Sequence, residues 1–183
     1  LLQLYAKPYS MGSGSNPGLP LRLIAETSSE NNDLARSTVA EVYTQILKDL
    51  NDAEPLAISD YEDDLLNLTR VHKNTIIAFK TRVYLHMQNW ASVATESAKI
   101  VSSAAPFTAS SGVGFALNPS FNDIWAEPYT SAESIFSMPH ATTDNPGSQN
   151  SLPSYFFSGA TESYYLNLAP GTAYAAMDAT DVR

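Results

Sequence analysis

The sequence predicts a mainly α chain, with helical hairpins first and a loop-rich part with a few short strands after them. Three observations predict it: an apolar stripe at three- and four-residue steps over 74–104, a capping box that opens a second helix at Thr38, and the loss of all periodicity after Lys99. Ile76, Ile77, Phe79, Lys80, Val83, Tyr84 and Met87 recur at helical spacing, and Trp90, Ala91, Ala94, Ala98 and Val101 repeat it at once. The link around Gln88 and Asn89 is too short for anything but antiparallel neighbours. The second arm is expected to turn its alanines toward the first, with Trp90 as a staple at the corner.

Upstream, residues 1–6 read as the end of a helix that Lys7-Pro8-Tyr9 stops. Residues 10–20 hold Gly12, Gly14 and Gly18, yet a phosphate loop is set aside: no strand precedes them and no Gly-Lys-Ser/Thr closes them. Residues 19–24 could run extended. Thr38-Val39-Ala40-Glu41 has the capping-box pattern. Val39, Val42, Tyr43, Ile46, Leu47, Leu50 and Ala53 then form one stripe that ends at Pro55. Asp60, Glu62, Asp63 and Asp64 make an acidic run without EF-hand spacing, so a solvated loop is expected and no metal. His72 and His86 fit no ligand spacing and read as helix-surface histidines.

Composition narrows the function. The 183 residues carry a net charge of -9, and no cysteine is present. Clustered Lys and Arg are therefore lacking for nucleic acid or anionic lipid, and a disulfide frame, a thiolate metal site and a cysteine nucleophile are excluded. No apolar run reaches the roughly 18 residues of a membrane helix. No signal peptide is seen, and both ends, Leu1 and Asp181-Val182-Arg183, are expected to be internal to a longer protein.

Between Ile100 and Val182 there is no Lys or Arg, while twelve of nineteen aromatics fall there. Pro, Gly, Ser, Thr and Asn dominate, which predicts long loops, and 133–138 (ESIFSM) is the best strand candidate. Such loops hold anions poorly and suit a neutral polyol. Sugar rings stack a C–H face on indole or phenol and bond amides and carboxylates through their hydroxyls. Asn122, Asp123 and Trp125, with Tyr129 nearby, form one candidate ligand patch; Tyr164 and Tyr165 before Asn167 form another. Trp125 is equally readable as a core anchor, and the tyrosines as exposed loop residues.

Four blocks, in order, resemble the SusD-like (RagB/SusD) family of outer-membrane nutrient-binding lipoproteins. Tyr5-Ala6-Lys7-Pro8-Tyr9 with Gly18-Leu19-Pro20-Leu21 is the first. The second runs from Arg36-Ser37 through Val39, Val42-Tyr43 and Asp49-Leu50. Arg82-Val83-Tyr84-Leu85 with Asn89-Trp90 is the third, and Glu133-Ser134-Ile135-Phe136 with Asp181-x-Arg183 the fourth. The family's usual Val is Leu19 here, and Thr75 and Ile77 stand where small residues are usual.

The resemblance implies a tetratricopeptide-like helical scaffold over 1–104 and a loop-rich segment over 105–183, both parts of one SusD-like domain in a chain about three times as long. It further implies non-catalytic oligosaccharide binding at the cell surface, no cofactor, a SusC-like TonB-dependent transporter as partner, and a lipid anchor on an N-terminal cysteine that these residues do not contain. Two other classes stay open. A glycoside hydrolase would need a carboxylate pair such as Asp123 and Glu127 about 5 to 9.5 Å apart. A tetratricopeptide adaptor would need several repeats and a charged groove.

Overall fold

A computed structural model describes residues 1–29, 32–124 and 131–139. In chain order the helices are α1 (Leu2–Tyr5), α2 (Val39–Ala53), α3 (Asp64–Thr69), α4 (Lys73–His86) and α5 (Trp90–Ser97), with a 3-10 turn at Phe121–Ile124. α4 is the centre: α5 packs along it as the second arm of a hairpin, and α2 packs on it from another side. Among the described residues, no helix is long and apolar enough to cross a membrane.

α2 starts where its local chemistry dictates. The Glu41 amide donates to the Thr38 hydroxyl at 3.2 Å, and the Thr38 amide donates to the Glu41 carboxylate at 2.7 Å. The remaining free amides of the first turn are met by the glycine-bearing loop, because Val39 N–H donates to Asn16 O and Ala40 N–H to Gly14 O, both at 2.9 Å. The loop therefore offers carbonyls to a helix and not amides to a phosphate. Gly14 has φ +78°, and a Cβ there would lie 2.8 Å from the Tyr9 ring and 2.9 Å from Ala40, so glycine is required twice over. Arg36 fastens the entry: Nε donates to Gly18 O at 2.7 Å, and Nη2 to Tyr5 O and Pro17 O at 3.0 and 3.1 Å. Val39, Val42 and Tyr43 form the buried end of the α2 stripe, with Tyr43 edge-on to Tyr9 at 5.5 Å.

The α4–α5 corner is closed by backbone. Gln88 sits at φ +58° in the left-handed region. Asn89 N–H reaches back to Tyr84 O at 3.0 Å and Gln88 N–H to Leu85 O at 3.0 Å, the bonding pattern of a Schellman motif. Asn89 then caps α5 by accepting from Ser92 N–H at 3.2 Å.

The expected facing of the second arm is overturned. Trp90 is 61% exposed and not buried at the corner; Ala91, Ala94, Ala98 and Val101 are exposed as well. The inward residues are Val93, Glu96, Ser97 and Ile100, of which Glu96 and Ile100 are buried. The reason lies on the first arm. Lys80 occupies its inward stripe, only 3% exposed, and an ammonium removed from water must be paired.

Lys80 Nζ lies 2.7 Å from Glu54 Oε2 and 3.1 Å from Glu96 Oε1, so α5 must turn Glu96 inward to meet it. Lys99 completes the group at 3.3 Å from Glu54 Oε1 and 2.8 Å from Glu96 Oε2. Two carboxylates and two ammonium groups thus join the end of α2 to both arms of the hairpin. Phe79, expected in the buried stripe, is 46% exposed on the other side of α4.

The stretch 133–138 is not a strand. It lies across the α3–α4 junction, where Ser137 N–H donates to Leu68 O at 2.9 Å, and no ladder forms. Among the described residues, the one β-bridge joins Pro17 and Thr38. The irregular segments are held to the helices by side chains: Asn74 Nδ2 donates to Val113 O at 3.0 Å and Ser110 Oγ to Lys99 O at 2.7 Å. Ala116 N–H donates to Ala132 O at 3.0 Å, tying the two irregular pieces to each other.

Candidate functional site

Laying 113–117 and 131–136 over the helices leaves clefts. The first, about 300 Å³, runs between α3 and the irregular wall and is lined by Asp64, Asn67, Leu68, Val113, Phe115 and Ser134. Asp64 of the acidic run lines it, and the rest of the run braces the start of α3 and Asn67. Asp63 accepts from Leu66 N–H at 2.8 Å as the N-cap of α3. Asp60 Oδ1 accepts from Glu62 N–H at 2.7 Å and from Asn67 Nδ2 at 2.8 Å, and Asn67 Oδ1 accepts from Tyr61 N–H at 2.8 Å. These hydrogen bonds hold the Asp60 carboxyl below its ordinary value, that from Asn67 contributing most. Part of the run expected as a solvated loop is therefore joinery.

Beneath this cleft lies His72, fully buried, which corrects its reading as a surface histidine. Its ring stacks on Phe115 at 5.5 Å and 22°, and Nε2 is 3.2 Å from Ile135 O. A carbonyl only accepts, so Nε2 carries the proton. Burial pushes the pKa of His72 down, outweighing the carbonyls of Ile135 and Asn67 and the charge of Asp60. A neutral ring suits that apolar contact. His86, by contrast, is exposed and meets Gln3 Nε2 at 2.7 Å.

A second cleft of about 330 Å³ opens between one face of α4 (Thr75, Ala78, Phe79 and Arg82) and the segment carrying Glu133 and Phe136. Phe136 is 39% exposed, and Arg82 is exposed. Glu133 Oε2 accepts from Asn118 Nδ2 at 3.2 Å. A third, apolar cleft of about 210 Å³ lies between Ile100, Val101, Phe107, Leu117 and Ile135.

Of the residues singled out in the sequence, Asn122 and Asp123 lie on the Phe121–Ile124 turn, with Asp123 exposed and its amide donating to Ser120 O at 3.1 Å. Asp123 does not line these three clefts. Trp125, Glu127, Tyr129, Tyr164 and Tyr165 lie outside the described residues. Sequence reasoning missed Phe79, Arg82 and Phe136 as cleft residues. The available signal was the Phe79–Arg82 spacing, which puts both on one helical face, but Phe79 was assigned to the core.

A tetratricopeptide-like helical scaffold with irregular segments laid across it, holding clefts at the seam, is the class of protein that fold and site define. Residues 1–85 match a family model described as "SusD-like, starch-binding associating with outer membrane". A SusD superfamily protein from Bacteroides fragilis superposes with a TM-score of 0.65 at 32% identity, over 83% of this chain and 32% of that one. A second superfamily member, from Bacteroides thetaiotaomicron, gives 0.62 at 18% identity over 80% of this chain and 29% of its own. A candidate sugar-binding protein from Bacteroides vulgatus gives 0.53 at 24% identity over 81% and 32%; these last two establish the fold alone. No curated protein matches in sequence. Over residues 1–85 the chain matches the SusD-like family, and it spans about a third of the length of the solved relatives it matches.

Proposed function

We propose that the chain is part of a non-catalytic carbohydrate-binding protein of the bacterial outer membrane, displayed at the cell surface through an N-terminal lipid and delivering oligosaccharide to a TonB-dependent transporter. The observation that carries this reading is the seam itself. Clefts of about 300 and 330 Å³ sit where loop segments meet a helical scaffold, and they combine phenyl rings with hydroxyl, amide and charged side chains. That size and mixture fit small-molecule sites, which run from about 300 to 1,000 Å³. Apolar rings cover the C–H face of a sugar while the polar groups bond its hydroxyls.

The family match supports the same reading, since the family description is of starch binding in association with the outer membrane. Asn122, Asp123, Trp125, Tyr129, Tyr164 and Tyr165 are the proposed ligand residues in the loops. The test is calorimetry of the full-length protein against a panel of plant, host and microbial glycans, with reducing-sugar release followed in the same samples. Saturable heat without release supports a receptor. Release of reducing ends would replace it with a hydrolase, and a panel with no heat at all would remove carbohydrate binding.

A further inference from the structure

We infer that the cleft between α4 and residues 133–136 is a subsite for an acidic sugar unit, a hexuronate, with Arg82 as its carboxylate receptor. The inference rests on the carbohydrate-binding reading and names its ligand class. Three observations meet in one place. Arg82 lines the cleft, is exposed, and has no hydrogen-bond or ion-pair partner among the described residues. Five other basic side chains are already engaged, Lys80 and Lys99 by Glu54 and Glu96, Arg36 by three backbone carbonyls, Lys48 by Asp52 and Arg22 by Glu26, and Lys7, Arg70 and Lys73 do not line this cleft. A guanidinium offers a planar fork that matches a carboxylate through two parallel hydrogen bonds, which an ammonium cannot do.

Second, Phe79 on the same wall as Arg82 and Phe136 on the facing segment line this cleft, 46% and 39% exposed. Half-exposed phenyl rings on either side of a cleft give a pyranose two apolar faces to lie between. Third, Glu133 is in the same cleft without pairing with Arg82, and one of its oxygens is occupied by Asn118. Its other oxygen, without a hydrogen-bond partner among the described residues, can accept from a ring hydroxyl but repels a second carboxylate. The cleft thus takes one acidic unit in one orientation, carboxylate toward Arg82 and hydroxyl edge toward Glu133. Between Lys99 and Arg183 the sequence carries no Lys or Arg, so the segment facing α4 across this cleft adds no guanidinium or ammonium of its own.

The experiment is calorimetry on the full-length protein with a galacturonate oligosaccharide, its methyl ester, and a neutral oligosaccharide of equal length. The acid is expected to bind more tightly than its ester. Arg82→Gln should lower affinity for the acid about tenfold or more, the scale of a charge-assisted hydrogen-bond pair, and leave the ester and the neutral glycan unchanged. Arg82→Lys should fall between, because charge survives and the fork does not. Phe136→Ala, on a different wall, should weaken acid and ester alike.

Equal affinity for acid and ester, or an unchanged acid affinity in Arg82→Gln with the wild-type melting temperature, overturns the assignment while leaving carbohydrate binding intact. A protein that binds none of the three compounds but binds another neutral glycan of the panel also overturns it. A protein that binds no glycan removes both readings.

Discussion

Replacing Lys80 by Met tests the charge group that joins three helices. Met keeps the length of the side chain and removes its ammonium, which lies 2.7 Å from Glu54 and 3.1 Å from Glu96. The side chain of Lys80 is 4% exposed and those of its partners 16% and 11%, so the two carboxylates stay largely out of water after the change. Truncating one member of a buried pair costs about 3 to 5 kcal/mol, chiefly through the charge left behind. Lys99 still reaches both carboxylates, and its own side chain is 37% exposed. The lower end, about 3 kcal/mol, is therefore expected.

With a urea slope of about 2 kcal/mol/M, that loss moves the unfolding midpoint down by roughly 1.5 M. Circular dichroism in urea measures it. Adding Glu96→Gln to Lys80→Met removes one stranded charge and should recover about 1 kcal/mol or more of the loss. A single variant within about 0.5 kcal/mol of wild type, or a double variant that is simply additive, would refute the view that this pairing sets the phase of α5.

Acid should destabilise the fold in two successive windows. His72 is held below its ordinary 6.5, so the unfolded chain binds the extra proton first and stability falls as pH drops below that value. Glu54 is pushed up by burial but brought net below its ordinary 4.5 by Lys80 and Lys99, so its contribution is present above 4.5 and is lost as pH falls through the lowered value. Melting temperatures at pH steps from 8 to 3 check both, and His72→Phe should flatten the upper window alone. Gln88→Gly should stabilise the corner by about 0.5 to 1 kcal/mol, since glycine removes the left-handed strain at φ +58° against its own entropic cost; an unchanged urea midpoint would count against that strain. Trp125→Ala should abolish glycan retention in affinity electrophoresis with little change in melting temperature, whereas a loss of several degrees would make Trp125 a packing residue.

What could be read in the sequence was local chemistry. Thr38 and Glu41 bond each other within one turn, and Gln88-Asn89 leaves no room for anything but a reversal, so α2 and the corner of the hairpin were legible, although α5 stops at Ser97, short of the Val101 to which its pattern ran. The facing of α5 was not. Hydrophobic pattern favoured the Trp90–Ala98 side, while the actual phase was decided by Lys80 demanding Glu96, a pairing across sixteen positions that no periodicity displays. His72 was illegible for the same reason: Phe115 and Ile135, which cover it, are 43 and 63 positions away. The stretch 133–138 has strand-like residues but no edge to pair with, only Leu68 O at the α3–α4 junction. At the site, chemistry-bearing types were found in the loops by composition, whereas Arg82 and Phe79 were hidden inside a helix whose pattern suggested core.

One short piece of chain, 131–136, supplies a wall to each of the three clefts. A molecule that ordered this backbone by settling into one of them would lower the ordering entropy a second must meet. By reciprocity such a coupling would be equal in both directions. Ligands of several units, touching more than one cleft, would gain from it where single sugars would not.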